Sequence, residues 1–482
     1  MRVLEQLEPK NVLSFFEDLC AIPHGSGNTK AISDYCVKFA ESRGLEVHQD
    51  GLNNVVIVKP ATPGYKAAPT VIVQGHLDMV AEKTPDSPIN FLTDGLELEV
   101  DGDFIRAKGT TLGGDDGIAV AMALAVLDAK DLAHPRLECL FTIDEETGMD
   151  GAVGFDASIL QGKRLLNIDS EEEGILTVSC AGGAHAAVRI PMTANECALD
   201  SAEIRISGLK GGHSGAEIDK GRANATITLG RVLQALVDEL EVRLVSAEGG
   251  LKDNAIPNAA RAVIALEDGK LPRAQEICAE LQDTFRREYA AADPDVTVTF
   301  TPGTVASQAL TLRDTKKVCC FLGLYPNGIE SMSMDIPGLV QTSCNLGIFK
   351  VDETGLTGSG SVRSSIASRK QLLLRRIGLL AEGPDGTLCV SGEYPAWEYR
   401  RESHLRDVMC KVYKEQYGQD MKVEAIHAGL ECGLFCGKIP GLDAVSFGPN
   451  LYDIHTVKEH MSISSVQRVY AYLCAVLQAL KD

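Results

Sequence analysis

"VQGHLDMV", residues 73–80, sets a histidine and an aspartate two positions apart inside an apolar run. A buried strand gains nothing in packing from either group, and desolvating both is costly unless each finds a partner. Two kinds of partner would serve: a core hydrogen bond, or a metal ion. If the run is a strand, His76 and Asp78 share a face, because side chains alternate with a period of two. The neighbouring stretches repeat this grammar. "NNVVIVKP" (53–60), "FIRAKGT" (104–110), "RLECLFTIDEE" (136–146), "RLLNIDSEEEG" (164–174) and "ILTVSC" (175–180) are β-rich, and "DGIAVAMALAVLDAK" (116–130) is a small-residue helix. Strands alternating with helices predict an α/β sheet covered on both faces.

From about Ala187 the pattern changes. "SAEIRISGL" is an alternating strand, "GRANATITLGRVLQALVDELE" an amphipathic helix, and two strands, a helix and a strand follow. A second series of similar length and order runs from about Gln308 to Pro395. The last 85 residues return to α/β grammar, with "VEAIHAGLE" and "LDAVSFGP" as strands between two helices. The expected organisation is an α/β catalytic domain in two parts, 1–186 and 397–482, interrupted by an inserted α+β lid domain, 187–396, made of two similar units.

The bulk numbers exclude several functions. A net charge of −21 opposes binding to nucleic acid and to anionic membranes. The first twenty residues lack the basic and apolar regions of a signal peptide, and no apolar run of membrane-spanning length occurs. The 14 cysteines are scattered without the spacing of a disulfide framework, which predicts a reducing, cytoplasmic compartment.

Polar anomalies recur at the ends of the apolar strands. Asp115 and Asp116 occupy the Gly-rich turn "TTLGGDDGIA" that opens the helix, where capping accounts for only one carboxylate. Glu145 and Glu146 follow one buried strand, Asp169 ends another, and His455 lies in the loop after the last strand. Sites in open α/β sheets form outside the carboxyl ends of the strands, so the fold can gather these groups. Two histidines with three or more carboxylates suit divalent transition metals, with zinc, manganese and cobalt all fitting. A single structural zinc needs only four ligands, so the surplus favours two ions bridged by a carboxylate.

"GHLDMV", "TLGGDDGIA", "IDEETGMDGA", "NIDSEEEG", "CAGG", "GLKGGHSG", "RANA", "YPAW" and "HAGLECG" together resemble the co-catalytic di-metal peptidases that include carboxypeptidase G and tripeptidase T, and among them the dipeptidases. The resemblance implies two divalent metal ions, zinc first, held by His76, Asp115, Glu146, Asp169 and His455, with Asp115 as the bridge. It makes Glu145 the general base and sets Asp78 behind His76, accepting its second ring N–H. In the lid it makes His213 the group that polarises the scissile carbonyl and Arg363 the group that binds the substrate carboxylate, which requires closure of the lid onto the metals. The implied activity is hydrolysis of dipeptides with a free N-terminus, including Xaa-His and β-alanyl-histidine, through a metal-bridged hydroxide. The resemblance also leaves room for a homodimer. An N-acyl amino acid deacylase or carboxypeptidase on the same scaffold is the alternative, and a non-catalytic metal- or peptide-binding protein is a remoter one. After His455 this chain reads "TVKEHM", departing from the Ser-Pro-acidic pattern of the family and leaving His460 as a competing ligand.

Overall fold

The computed structural model describes residues 2–481. By contacts the chain divides into two units, Met1–Ser179 with Tyr399–Ala425 and Leu430–Asp482, and Cys180–Glu398 with Ile426–Gly429.

The first unit is built on an eight-stranded sheet in the order Glu46–Gln49, Val55–Lys59, Leu137–Thr142, Val71–His76, Arg164–Asn167, Asp443–Ser446, Ile175–Cys180, Lys422–Ile426. Val71–His76 runs parallel to both neighbours, Leu137–Thr142 and Arg164–Asn167, and Asp443–Ser446 runs parallel to the latter. Every residue of Val71–His76 and Leu137–Thr142 is buried, as expected of strands covered on both faces. The helix Gly114–Asp128 is buried on nearly all sides, and its alanines permit close packing. Against it lies the helix Lys10–Cys20, whose buried residues Val12, Leu13, Phe16 and Leu19 fall on one stripe. Gly75 sets how near the Asp115–Asp116 turn comes to the sheet: a Cβ there would lie 2.6 Å from Asp116 Oδ2 and 2.8 Å from Ala119 Cβ.

The second unit carries a ten-stranded antiparallel sheet. One series of elements, from Ala194–Ser207 to Thr297–Pro302, meets the other through pairing of Arg243–Gly249 with Val340–Asp352. The helices Ala225–Glu239, Leu271–Glu288, Leu312–Leu324 and Ala367–Glu382 contribute Leu229, Ile277, Phe321 and Ile377 to one core cluster. Asn224, in the string "RANA", caps the first of them by accepting from the N–H groups of Thr226 and Ile227, and its Nδ2 donates to the Leu346 carbonyl.

Two elements differ from the sequence expectation. Gly182–Ile190 is a strand paired on both sides, so the expected domain start at 187 falls inside a continuous element. "VEAIHAGLE" is a strand only over Lys422–Ile426; Glu431 opens a helix, Glu431–Lys438, because its buried carboxyl bonds to Gln74 and Thr142. All 14 cysteines are free thiols. Among the described residues no helix is long and apolar enough to cross a membrane.

Candidate metal centre

His76 closes its strand and is fully buried. Its Nδ1 donates to the Asp78 carbonyl oxygen at 2.9 Å, so Nε2 is the nitrogen left to face outward. That Nε2 lies 3.2 Å from Asp115 Oδ1 and 4.0 Å from Asp169 Oδ1. On the other side, His455 Nε2 lies 3.1 Å from Asp115 Oδ2 and 3.0 Å from Glu146 Oε2. Asp115 therefore turns one oxygen to each histidine. The five residues that the resemblance singled out for metal stand together, and donor atoms of His76, Asp115 and Glu146 lie within 4.8 Å of one another, as do those of His76, Asp116 and Asp169. His455 adopts a left-handed backbone, φ 60°, uncommon outside glycine and frequent where geometry serves a site.

The donor set fits cations on two grounds. Glu146 Oε1 and Asp169 Oδ2 are buried with no hydrogen-bond partner, which buried carboxylate oxygens rarely tolerate. The ion-free electrostatics are also frustrated. Burial, and then repulsion from Asp116, push Asp169 well above the usual carboxylate range, while Asp115 and Glu146 hold His455 protonated up to about 10. Divalent cations would relieve the crowded carboxylates and need the imidazoles neutral.

Asp78 departs from expectation. Its carboxylate stands 3.5 Å from His76 Nδ1, and the ring N–H goes instead to the Asp78 backbone carbonyl. The strand ends at His76, so Asp78 lies beyond the regular pleat. Its carboxylate accepts from Ser26 Oγ (2.7 Å) and from the backbone N–H groups of Glu145 (3.0 Å) and Glu146 (3.4 Å). It thus fixes the short turn Glu145–Gly148 as well as flanking the histidine. Burial, with repulsion from Glu146, Asp115 and Asp78 outweighing the attraction of His76, pushes the Glu145 carboxyl up to about 7.

Two residues that sequence reasoning left without a role support the site. Glu459 is buried and accepts from the N–H groups of Leu112 (2.7 Å), Gly113 (3.1 Å) and Gly114 (2.8 Å), holding the turn that carries Asp115. His460, the competing ligand, is engaged elsewhere: Nδ1 lies 2.9 Å from the Lys458 carbonyl oxygen, and the ring stacks on Tyr452. Glu431 Oε2 accepts from Gln74 Nε2 (2.6 Å) and Thr142 Oγ1 (2.7 Å), and Gln74 Oε1 accepts from Asn167 Nδ2 (2.6 Å). This buried chain ties three parallel strands just before His76, Glu145 and Asp169.

Burial, and then repulsion from Glu145, push Glu431 up to about 8. The folded state therefore keeps it neutral while the unfolded chain ionises it above about 4.5. The stability it takes away is absent below that value and grows as pH rises to about 8. Glu431→Gln retains an acceptor oxygen for Gln74 and Thr142 without the penalty. Thermal melts of ion-free wild type and variant should coincide near pH 5 and separate by pH 8, the variant melting higher. Equal melts at both values would mean that the folded protein carries Glu431 ionised.

The second unit gathers its own polar cluster. His213 Nδ1 accepts from the N–H groups of Gly215 (3.2 Å) and Ala216 (3.0 Å), which leaves the ring proton on Nε2 as a free donor. Burial and the Arg363 charge lower its pKa, so the ring is neutral. Arg363 lies on the strand Gly355–Ser364, and its Nη1 donates to Tyr394 Oη at 3.0 Å. His427 Nε2 bonds Ser343 Oγ at 2.7 Å.

Strands whose carboxyl ends gather histidines and acidic residues around a doubly bonded aspartate define a metal-dependent hydrolase of the α/β kind. The particular family follows: the chain belongs to Peptidase family M20/M25/M40, whose sequence profile matches residues 72–479. It is 34% identical over 482 residues to the cytosol non-specific dipeptidase of Escherichia coli, covering 100% of this chain and 99% of that one. Its fold superposes on the crystal structure of aminoacylhistidine dipeptidase from Vibrio alginolyticus with a TM-score of 0.95 and 36% identity, covering 99% and 98% of the two chains. A fold likeness extends to aminopeptidase PepT from Bacillus cereus, TM-score 0.56 at 16% identity, covering 99% and 100% of the two chains.

Proposed function

We propose that the protein is a metal-dependent dipeptidase that hydrolyses dipeptides with a free N-terminus, Xaa-His among them, in the cytoplasm. Full-length likeness to two dipeptidases supports the activity, and one observation supports the chemistry: Asp115 presents separate oxygens to His76 and His455. In this reading His76, Asp115, Glu146, Asp169 and His455 would hold two ions, Asp115 offering an oxygen toward each. Zinc is the ion assigned, and the same donors also accept manganese or cobalt. When bound, such ions acidify a water and stabilise the charge that develops on the attacked carbonyl.

The remaining steps belong to the side chains. Glu145 takes the proton of the attacking water and returns it to the leaving amine, work suited to a carboxyl whose pKa lies near neutrality. Asp78 holds Glu145 and Glu146 by their backbone N–H groups. His213, with its proton on Nε2, donates to the scissile carbonyl, and Arg363 pairs with the substrate's terminal carboxylate. In this reading His213 and Arg363 act on the substrate only after the expected lid closure.

The test is a panel of Xaa-His and other dipeptides, with N-acyl amino acids alongside, against ion-free enzyme given zinc, manganese or cobalt. Hydrolysis confined to substrates with a free amine supports the dipeptidase; turnover of N-acyl amino acids alone would replace it with a deacylase. Metal content offers a separate check. Elemental analysis after saturation and desalting should approach two ions per chain, and a firm value of one would remove the shared role of Asp115.

A further inference from the structure

We propose that Tyr394 is the positioning residue of Arg363, turning the side-on edge formed by Nε–H and Nη2–H toward the substrate carboxylate. The proposal rests on the reading of Arg363 as the carboxylate-binding group. A guanidinium can meet an anion end-on through both Nη atoms or side-on through Nε and Nη2, and only a fixed edge gives a fixed bidentate pair. Here Nη1 is committed to Tyr394 Oη, at 3.0 Å, which withdraws the end-on edge. Nε is left buried and without a hydrogen-bond partner.

A Cβ on Gly215 would stand 2.8 Å from the His427 carbonyl oxygen, 3.1 Å from His213 Cε1 and 3.2 Å from Arg363 Nε, so a glycine is what lets this turn pack against both side chains. Arg363 Nε and the His213 ring thus flank one glycine turn, which sets a carboxylate-binding cation beside a donor suited to the scissile carbonyl. Among the described residues no carboxylate pairs with Arg363. The nearby histidines add no charge: burial, then Arg363, lower His213 and push His427 down to about 4.

Tyr394 is itself built in. A Cβ on Gly183 would reach within 2.5 Å of the Tyr394 ring, and one on Gly429 within 2.9 Å, so these two glycines form the slot that grips it. The buried Lys370 Nζ donates to the Tyr394 carbonyl (2.6 Å) and to the Gly183 carbonyl (3.3 Å), anchoring the backbone on either side of the slot. Burial raises the phenol pKa further than Arg363 lowers it, so the hydroxyl stays neutral and accepts from the guanidinium. The slot holds the ring; the hydroxyl alone aims Arg363.

Removing that hydroxyl separates the two functions. The experiment measures kcat and KM of the metal-loaded wild type, Tyr394→Phe and Arg363→Lys on alanylalanine and on its C-terminal amide, with competition constants where amide turnover is too slow. Tyr394→Phe keeps the ring in its slot and should raise KM for the free acid about fivefold to tenfold, the net worth of one ordinary hydrogen bond. Its kcat should stay within about twofold and its behaviour toward the amide should not change. Arg363→Lys should erase most of the preference for acid over amide. If Arg363→Lys erases it while Tyr394→Phe matches wild type, the positioning role is overturned and the Arg363 reading stands. A Tyr394→Phe loss shared equally by acid and amide also overturns it, since packing alone would do that. A preference that survives Arg363→Lys overturns both readings.

Discussion

Glu145→Gln is expected to keep both metal ions and still bind dipeptide while losing roughly 10²–10⁴ in kcat, the usual worth of a positioned base. Glu146→Gln is expected to fail differently, by losing metal. The two side chains are chemically alike and adjacent in sequence, so the difference comes from position alone. Glu146 Oε2 lies 3.0 Å from His455 Nε2, and its other oxygen is buried without a partner, a carboxylate that calls for a cation. Glu145 makes no such pair, and burial with like-charge neighbours pushes its carboxyl up to about 7. A glutamine at 145 is the same size but cannot accept the water proton; a glutamine at 146 replaces an anionic ligand with a neutral amide. Excess metal should therefore partly rescue Glu146→Gln and leave Glu145→Gln inactive. The opposite rescue pattern exchanges the two roles. Equal metal loss in both variants makes Glu145 a ligand rather than the base.

The site was legible where a polar residue breaks an apolar strand, because such a residue must be repaid by a specific partner. His76 ends one buried strand and Asp169 lies just after another that is buried from Leu165 to Asn167. Asp115 was legible because capping needs only one of the two aspartates in its turn. Glu459 was not, since "VKEH" reads as a solvated loop; its burial depends on N–H groups more than 340 residues earlier in the chain. Local sequence carries no trace of such a partner.

Fold errors have the same origin. "GGAHAAVRI" is small and weakly apolar, yet it forms a central strand because Gly355–Ser364 and Thr387–Tyr394 pair with it on both sides. Strand formation there is decided by neighbours rather than by propensity. In "VEAIHAGLE" the apolar alternation outlasts the strand, and what ends it is the tertiary demand on Glu431 by Gln74 and Thr142. The resemblance implies a bond from the His76 ring to the Asp78 carboxylate. The strand ends at His76, two residues before Asp78, and that ring N–H goes to a backbone carbonyl instead.

His213→Ala should lower kcat by about 10²–10³, the cost of losing one donor to a developing oxyanion, with metal content unchanged. The expectation rests on the tautomer. Two backbone N–H groups, from Gly215 and Ala216, point at Nδ1, and a nitrogen that accepts cannot carry the proton. Nε2–H is therefore a donor whose direction is fixed by the turn itself. Burial and Arg363 lower the pKa of the ring, so protonation belongs to the acid side of 6.5 and the neutral donor persists from there upward. Ring resonances of His213 should accordingly stay constant from pH 7 to 9, about where an unshifted imidazole is completing its titration. His213→Gln, which can present an N–H but not along the same line, should fall between wild type and alanine. Because the ring also braces the turn, a structural role must be separable: it would show as lowered thermal stability with the rate preserved. If His213→Ala keeps activity within about threefold of wild type, less than 1 kcal/mol of barrier, the residue serves the turn and not the reaction.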